Sequence, residues 1–285
     1  MELAARPTGP QLATGLALLA ALAWAYLPQA PALVENWWND PNYSHGFLIP
    51  LVAGWLVWRQ KGALVRAAGP VVWGGLGMVA LGLAALVVGT YGHEFFLRRA
   101  SLVPVLWGLV LLFWGWGVAR RTAFAAGYLL LAVPWPYVLY DSVAFPLRLL
   151  AARLAAWGIR LVGIPVFREG NVLELPGVTL DVIDACSGIR SLVSLVAAGA
   201  ILAYLMLPNR WSKVLVVALV LPVAVLTNGL RVALTGVLAQ LAGPQMLVGA
   251  THDAMGWLVF MVAFLILLGI CWLLKHWLTP REDAS

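Results

Sequence analysis

The sequence predicts an all-α polytopic membrane protein: about eight transmembrane helices in a single domain over 1–285, with an outer-face amphipathic helix and a small β-hairpin. Three observations predict it. Of the 285 residues, 62% are hydrophobic and 11% charged, whereas soluble domains carry about 25% charged residues. Apolar runs recur from Leu12 to Trp277, which excludes a water-soluble body on one anchor. The basic residues stand in short clusters between those runs, as membrane topology demands, so a net charge of +6 does not mark a nucleic-acid groove.

Runs of about 17–25 apolar residues are long enough to span a bilayer. They place spans near 12–33, 47–58 (extended by its flanks), 71–91, 100–117, 123–139, 189–207, 214–238 and 254–274. The fifth is interrupted by "VPWP" at Val133–Pro136. The first run ends "ALAWAYLPQA", which looks like a signal-peptide cleavage site. A retained span fits the charges better. With the N-terminus in the cytoplasm, the inner segments hold ten basic and three acidic residues, and the outer segments six basic and nine acidic. That bias sets both termini in the cytoplasm.

The outer-face segment 145–185 is more than a loop. Its first part, Phe145–Val166, is apolar with arginines at 148, 153 and 160. It reads either as an amphipathic helix in the interface or as an additional tilted span. The part that follows alternates apolar residues around Pro176–Gly177, a pair suited to the centre of a type II turn, and so predicts a hairpin.

The unusual polar residues fall at one depth on this map. Cys186, in "DACSGIRSL", begins the sixth span on its outer side. Arg231 lies 17 residues beyond Val214, roughly 26 Å up its span at about 1.5 Å per residue. His252, in "ATHDAMGW", opens the last span, also outside. Taken singly, each has an ordinary structural reading: a small buried thiol, a snorkelling arginine, an interfacial histidine. Arg231 resists that reading most, because an arginine within a span costs about 2.5–3.5 kcal/mol and faces the bundle interior. Asn228 shares its helical face and can orient the guanidinium.

Thiol, imidazole and guanidinium form a nucleophile, a base and an electrophilic stabiliser, the division of labour of acyl transfer. A helix start and the nearby Arg190 favour the Cys186 thiolate. His252 can take the thiol proton, with Asp253 or a carbonyl fixing its tautomer. Arg231 can hydrogen-bond the developing oxyanion or act on the leaving group. Ser187 and Gly188 complete the "CSG" set as supporting residues, and a serine nucleophile at Ser187 is the weaker alternative beside a thiol.

Other chemistries fit worse. "HEFFL" at His93–Leu97 has leucine where a zinc-protease motif needs its second histidine. Cys186, His252 and Asp253 lack the close-spaced pair of a zinc site, so no metal and no cofactor is expected. Cys271 lies 19 residues past His252, roughly 28 Å deeper, too far for a disulfide with Cys186.

The motifs "DACSGIRSL" at Asp184–Leu192, "TNGLRV" at Thr227–Val232 and "THDAMGW" at Thr251–Trp257 resemble the exosortase/archaeosortase family. So does "WWNDPNYSHGFLIP" at Trp37–Pro50, which is similar to the outer loop these proteins carry after the first span. The resemblance implies a multi-pass cysteine protease and transpeptidase of the bacterial inner membrane, with its site on the periplasmic side. Implied substrates are exported proteins of an exopolysaccharide-producing cell. They are tethered by a C-terminal signal of the PEP-CTERM type: a Pro-Glu-Pro motif, a helix and a basic tail. Cys186, Arg231 and His252 would be the catalytic trio, an acyl-thioester on Cys186 the intermediate, and a lipid or glycan the acceptor. In the family the arginine is read as proton donor and the histidine as transition-state stabiliser, the reverse of the assignment made above from the residues.

On this view the 168–182 hairpin and the loop holding Tyr43 and His45 close over the substrate motif. Arg168, Arg98 or Arg99 pairs with its glutamate. Some exosortases carry a further soluble domain after the last span, where this chain has a short tail, so any partner function of that domain is expected elsewhere. The competing class is a non-enzymatic transporter or export component, with Arg231, Arg190 and His252 lining an anionic path.

Overall fold

The computed structural model describes residues 9–182, 189–243, 245 and 249–278; at 9–15, 189–191, 250 and 252 it is the course of the backbone that is described. The chain groups into two compact units, 1–136 and 137–285.

In the first unit, α1 (Gly9–Tyr26) passes through a 3-10 turn at Leu27–Gln29, with proline in its first turn, into α2 (Ala30–Asn39). A second 3-10 turn, Ser44–Phe47, leads to α3 (Leu48–Arg59) and the short α4 (Lys61–Ala67). Next come α5 (Gly74–Tyr91), α6 (Phe95–Ala100) and α7 (Leu102–Tyr128), the last continued by a 3-10 turn at Leu129–Ala132. Helices α5 and α7 meet backbone to backbone. A Cβ on Gly75 would lie 2.5 Å from the Gly108 carbonyl oxygen, and one on Gly108 would lie 2.8 Å from that of Gly75. Such close approach between small residues is how helices associate in lipid, where apolar burial alone gives no advantage.

The α7 run is not one rod. Gly115 has φ +77°, open to glycine, and the Trp107 indole N–H donates to the Ala119 carbonyl at 2.8 Å. Twelve residues of continuous helix would separate those levels by about 18 Å. The chain therefore doubles back at Gly115. This separates the two spans expected at 100–117 and 123–139, with the turn placed before the Arg120–Arg121 pair.

The second unit begins with α8 (Tyr137–Leu161), followed by β1 (Phe167–Glu169), β2 (Val172–Leu175) and β3 (Val178–Asp181). Three long helices complete it: α9 (Ile189–Met206), α10 (Arg210–Ala242) and α11 (Gly249–Leu278). The strands form one antiparallel sheet in the order β1-β2-β3. Leu175 pairs with Val178 across Pro176–Gly177, and Gly177 has φ +75°, so the expected hairpin turn is present. The strand β1 was not expected. Leu173, Leu175 and Leu180 lie on one face of the sheet and pack with Ala151, Ala155 and Ile159 of α8 and with Val232 of α10.

Helix α8 bears on the two readings of 145–166. It is a 25-residue helix from Tyr137, long and apolar enough to cross a membrane, which fits the additional tilted span rather than the interfacial amphipathic helix. Its buried alanines at 144, 151, 152, 155 and 156 form a helical stripe. Two of its three arginines have local partners: Arg148 pairs with Asp141 at 2.8 Å, and Arg160 donates to the Val166 carbonyl at 3.0 Å, while Arg153 is exposed. Contacts of Leu154 with Gly229, Gly158 with Ala233 and Ile159 with Gly236 make α8 run parallel to α10. A helix that leaves and rejoins one face, as the charge map requires, would not do so.

Six stretches among the described residues have spanning length and apolarity: Leu16–Asn39, Gly74–Tyr91, Phe95–Ala132, Tyr137–Leu161, Arg210–Ala242 and Asp253–Leu278. The chain is thus an all-α polytopic membrane protein with a small sheet, while the count of eight spans is not reproduced. The 12-residue α3 falls short of the about 20 residues a span needs, and within α9 the apolar stretch among the described residues is Leu192–Met206.

Candidate active site

Helix α10 carries the polar face of the second unit. Thr227, Asn228, Arg231 and Thr235 are all buried, at 7%, 4%, 9% and 7% exposure. Their spacing of one helical turn puts them on one side, and a charged residue within a span normally faces the bundle interior in this way. The Thr227 hydroxyl donates back to the Val223 and Ala224 carbonyls at 2.8 and 3.2 Å, leaving the face smooth below Asn228. Asn228 and Arg231 line a small recess with Leu195 of α9 and Val259, Phe260 and Ala263 of α11.

Register brings the three expected helices level. Gly199 packs on Val220, while Ala203 and Val216 share a core cluster, so α9 runs antiparallel to α10. Continued to its start, that register sets Ile189 beside Leu230, next to Arg231. Ala263 clusters with Ala224, and the Cβ position of Gly256 lies 3.1 Å from Arg231 Nη2, so α11 is antiparallel to α10 as well. Position 252 is one turn before 256, level with Thr235.

Cys186, Ser187 and Gly188 lie outside the described residues, immediately before α9. Arg190 stands in the first turn of α9. Asp253 is exposed, about 100° round α11 from position 252. Cys271 is fully buried with Ala203, Leu207 and Val216, toward the Arg210 end of α10 and away from the start of α9.

The remaining candidates have structural occupations. In the first unit the Tyr43 hydroxyl accepts the Trp135 backbone N–H at 2.9 Å, and His45 Nε2 donates to the Leu131 carbonyl at 3.3 Å. Trp37 donates to the Ala132 carbonyl at 2.7 Å, and its ring fills the space a Cβ on Gly46 would need. The loop thus latches the turn that follows α7. Burial raises the Tyr43 pKa and lowers that of His45. Arg99 donates to Asn36 Oδ1 at 2.8 Å and lies over the Phe95 ring, and Arg98 is half-buried beside it. In the second unit Arg168 donates to the Gly170 carbonyl at 2.6 Å. Glu94 of "HEFFL" caps α6, its carboxylate accepting from the Phe96 and Leu97 amides.

Sequence reasoning missed Thr235 and Gly256. Thr235 was legible as the residue one turn beyond Arg231. Nothing in the sequence set Gly256 apart from the other glycines of the spans.

Residues 37–269 match the family described as transmembrane exosortase (Exosortase_EpsH). No curated protein and no solved structure matches the chain.

Proposed function

The chain belongs to the transmembrane exosortase family, which carries a membrane transpeptidase or protease role in general, and we propose that it cleaves a C-terminal sorting signal through a thioester on Cys186. The signal is a Pro-Glu-Pro motif, a membrane helix and a basic tail, and the site faces the periplasm. The observation that carries this reading is the buried Arg231–Asn228 face of α10, level with the start of α9 and with position 252 of α11.

The chemistry follows from residue types. The Cys186 thiolate, its proton taken by His252, attacks the scissile carbonyl carbon and forms the C–S bond. The developing oxyanion is stabilised by Arg231, with Asn228 on the same helical face to orient the guanidinium. As the C–N bond breaks, His252 returns the proton to the leaving amine. An acceptor nucleophile, a lipid or glycan hydroxyl or amine, then attacks the thioester and restores the thiol. Arg190 at the start of α9 favours the thiolate. Arg98, Arg99 or Arg168 pairs with the motif's glutamate.

The test co-expresses the chain with such a substrate and follows its mass with Cys186 intact and as alanine. Processing is expected to cease in Cys186→Ala at unchanged protein level. Equal processing would move the chemistry to Ser187 or to another protein, and would put the transport class first.

A further inference from the structure

Gly256 sits within α11, where alanine would make the better helix. Its surroundings supply a reason. A Cβ built there would lie 3.1 Å from Nη2 and 3.3 Å from Cζ of Arg231. Both distances are shorter than the 3.5–4.0 Å at which non-bonded heavy atoms sit best. The guanidinium therefore rests on bare α11 backbone. Gly269, in the same helix, has nothing within 4 Å of its Cβ position. A glycine in this helix is thus not in itself a sign of close approach; the contact at 256 is specific.

We infer that Gly256 is a positioning residue: it seats the Arg231 guanidinium against α11 and so fixes its distance from the turn holding position 252. The inference rests on the proposed function for its kinetic consequence and on geometry alone for the seat. Any side chain at 256 displaces the guanidinium by a few tenths of an ångström or pushes α11 from α10. The first misplaces the oxyanion donor and the second separates it from His252. Either lowers the chemical step more than substrate binding.

Gly256→Ala and Gly269→Ala are compared in the full chain in lipid nanodiscs. Both are expected to fold, since each adds helix propensity. Gly256→Ala should process substrate about tenfold more slowly, through kcat with KM little changed, and Gly269→Ala should match the parent. The Arg231 side-chain ¹⁵N resonances, assigned by their loss in Arg231→Lys, should move in Gly256→Ala and stay in Gly269→Ala. Unmoved resonances would overturn the seat, whatever the activity. Moved resonances with parental turnover would overturn its role in positioning. If the parent itself processes nothing, the proposed function fails, and the resonances still decide the seat.

Discussion

Tyr43 and Arg231 are both buried polar side chains, at 4% and 9% exposure, but their surroundings differ in kind. Around Tyr43, the polar groups of one short loop are matched to backbone atoms of another: Tyr43 to Trp135, His45 to Leu131, Trp37 to Ala132. The arrangement satisfies the irregular backbone after α7, which no helix ladder can do. Around Arg231, polar groups recur at helical spacing along one regular helix and line a recess shared with two others. Regular helix has no backbone need for an arginine. A buried polar cluster in a membrane protein is thus evidence for chemistry where the backbone does not call for it, and evidence for architecture where it does.

The largest effect that would break this contrast is expected at Arg231. Arg231→Lys keeps the charge and loses the planar fork, and it should slow processing by about 10²–10³-fold with the fold intact. Processing near the parental rate would make Arg231 architectural too. Tyr43→Phe should do the reverse. It strands the Trp135 N–H, lowering stability by roughly 1–3 kcal/mol, read as a fall in Tm, with substrate turnover little altered.

The smallest effect concerns His45. Its pKa in the folded state lies below the ordinary 6.5 because burial disfavours the cation. The unfolded chain then binds more protons in that window, so stability should be full above about pH 6.5 and fall as pH drops toward the folded value. His45→Gln should flatten that stretch of a Tm-against-pH curve. An unchanged slope would assign the pH response to other groups.

Much of the second unit was legible in residues. Pro176–Gly177 specified its turn, and Asn228 with Arg231 specified an inward face. For 145–166 an interfacial helix and an additional span both stayed open, because its arginines were weighed as a polar surface. One is paired within the helix to Asp141 and another satisfies a carbonyl at its end, while the small alanines between them do the packing. The bend at Gly115 was hidden for a different reason. A glycine in an apolar run looks the same whether it lets two helices touch, as Gly75 does, or turns the backbone. The seat at Gly256 belongs to the same blind class, since its meaning lies in what another helix brings to it. The thiol itself remains a reading of sequence, because Cys186 lies outside the described residues.

The parallel course of α8 and α10, with α9 and α11 opposed, governs how connecting chain is distributed. Helix α8 ends, α9 begins, α10 ends and α11 begins at the same pole, the one nearer Arg231. The sheet that follows α8 therefore stands at that pole, packed on Ile159 and Val232, whereas 207–209 join α9 to α10 at the opposite one. Under the proposed function, recoding the sheet changes what this end can grip and leaves the helical frame as it was. Under that function, variation in substrate preference has an address here: the sheet between α8 and α9, not the helices.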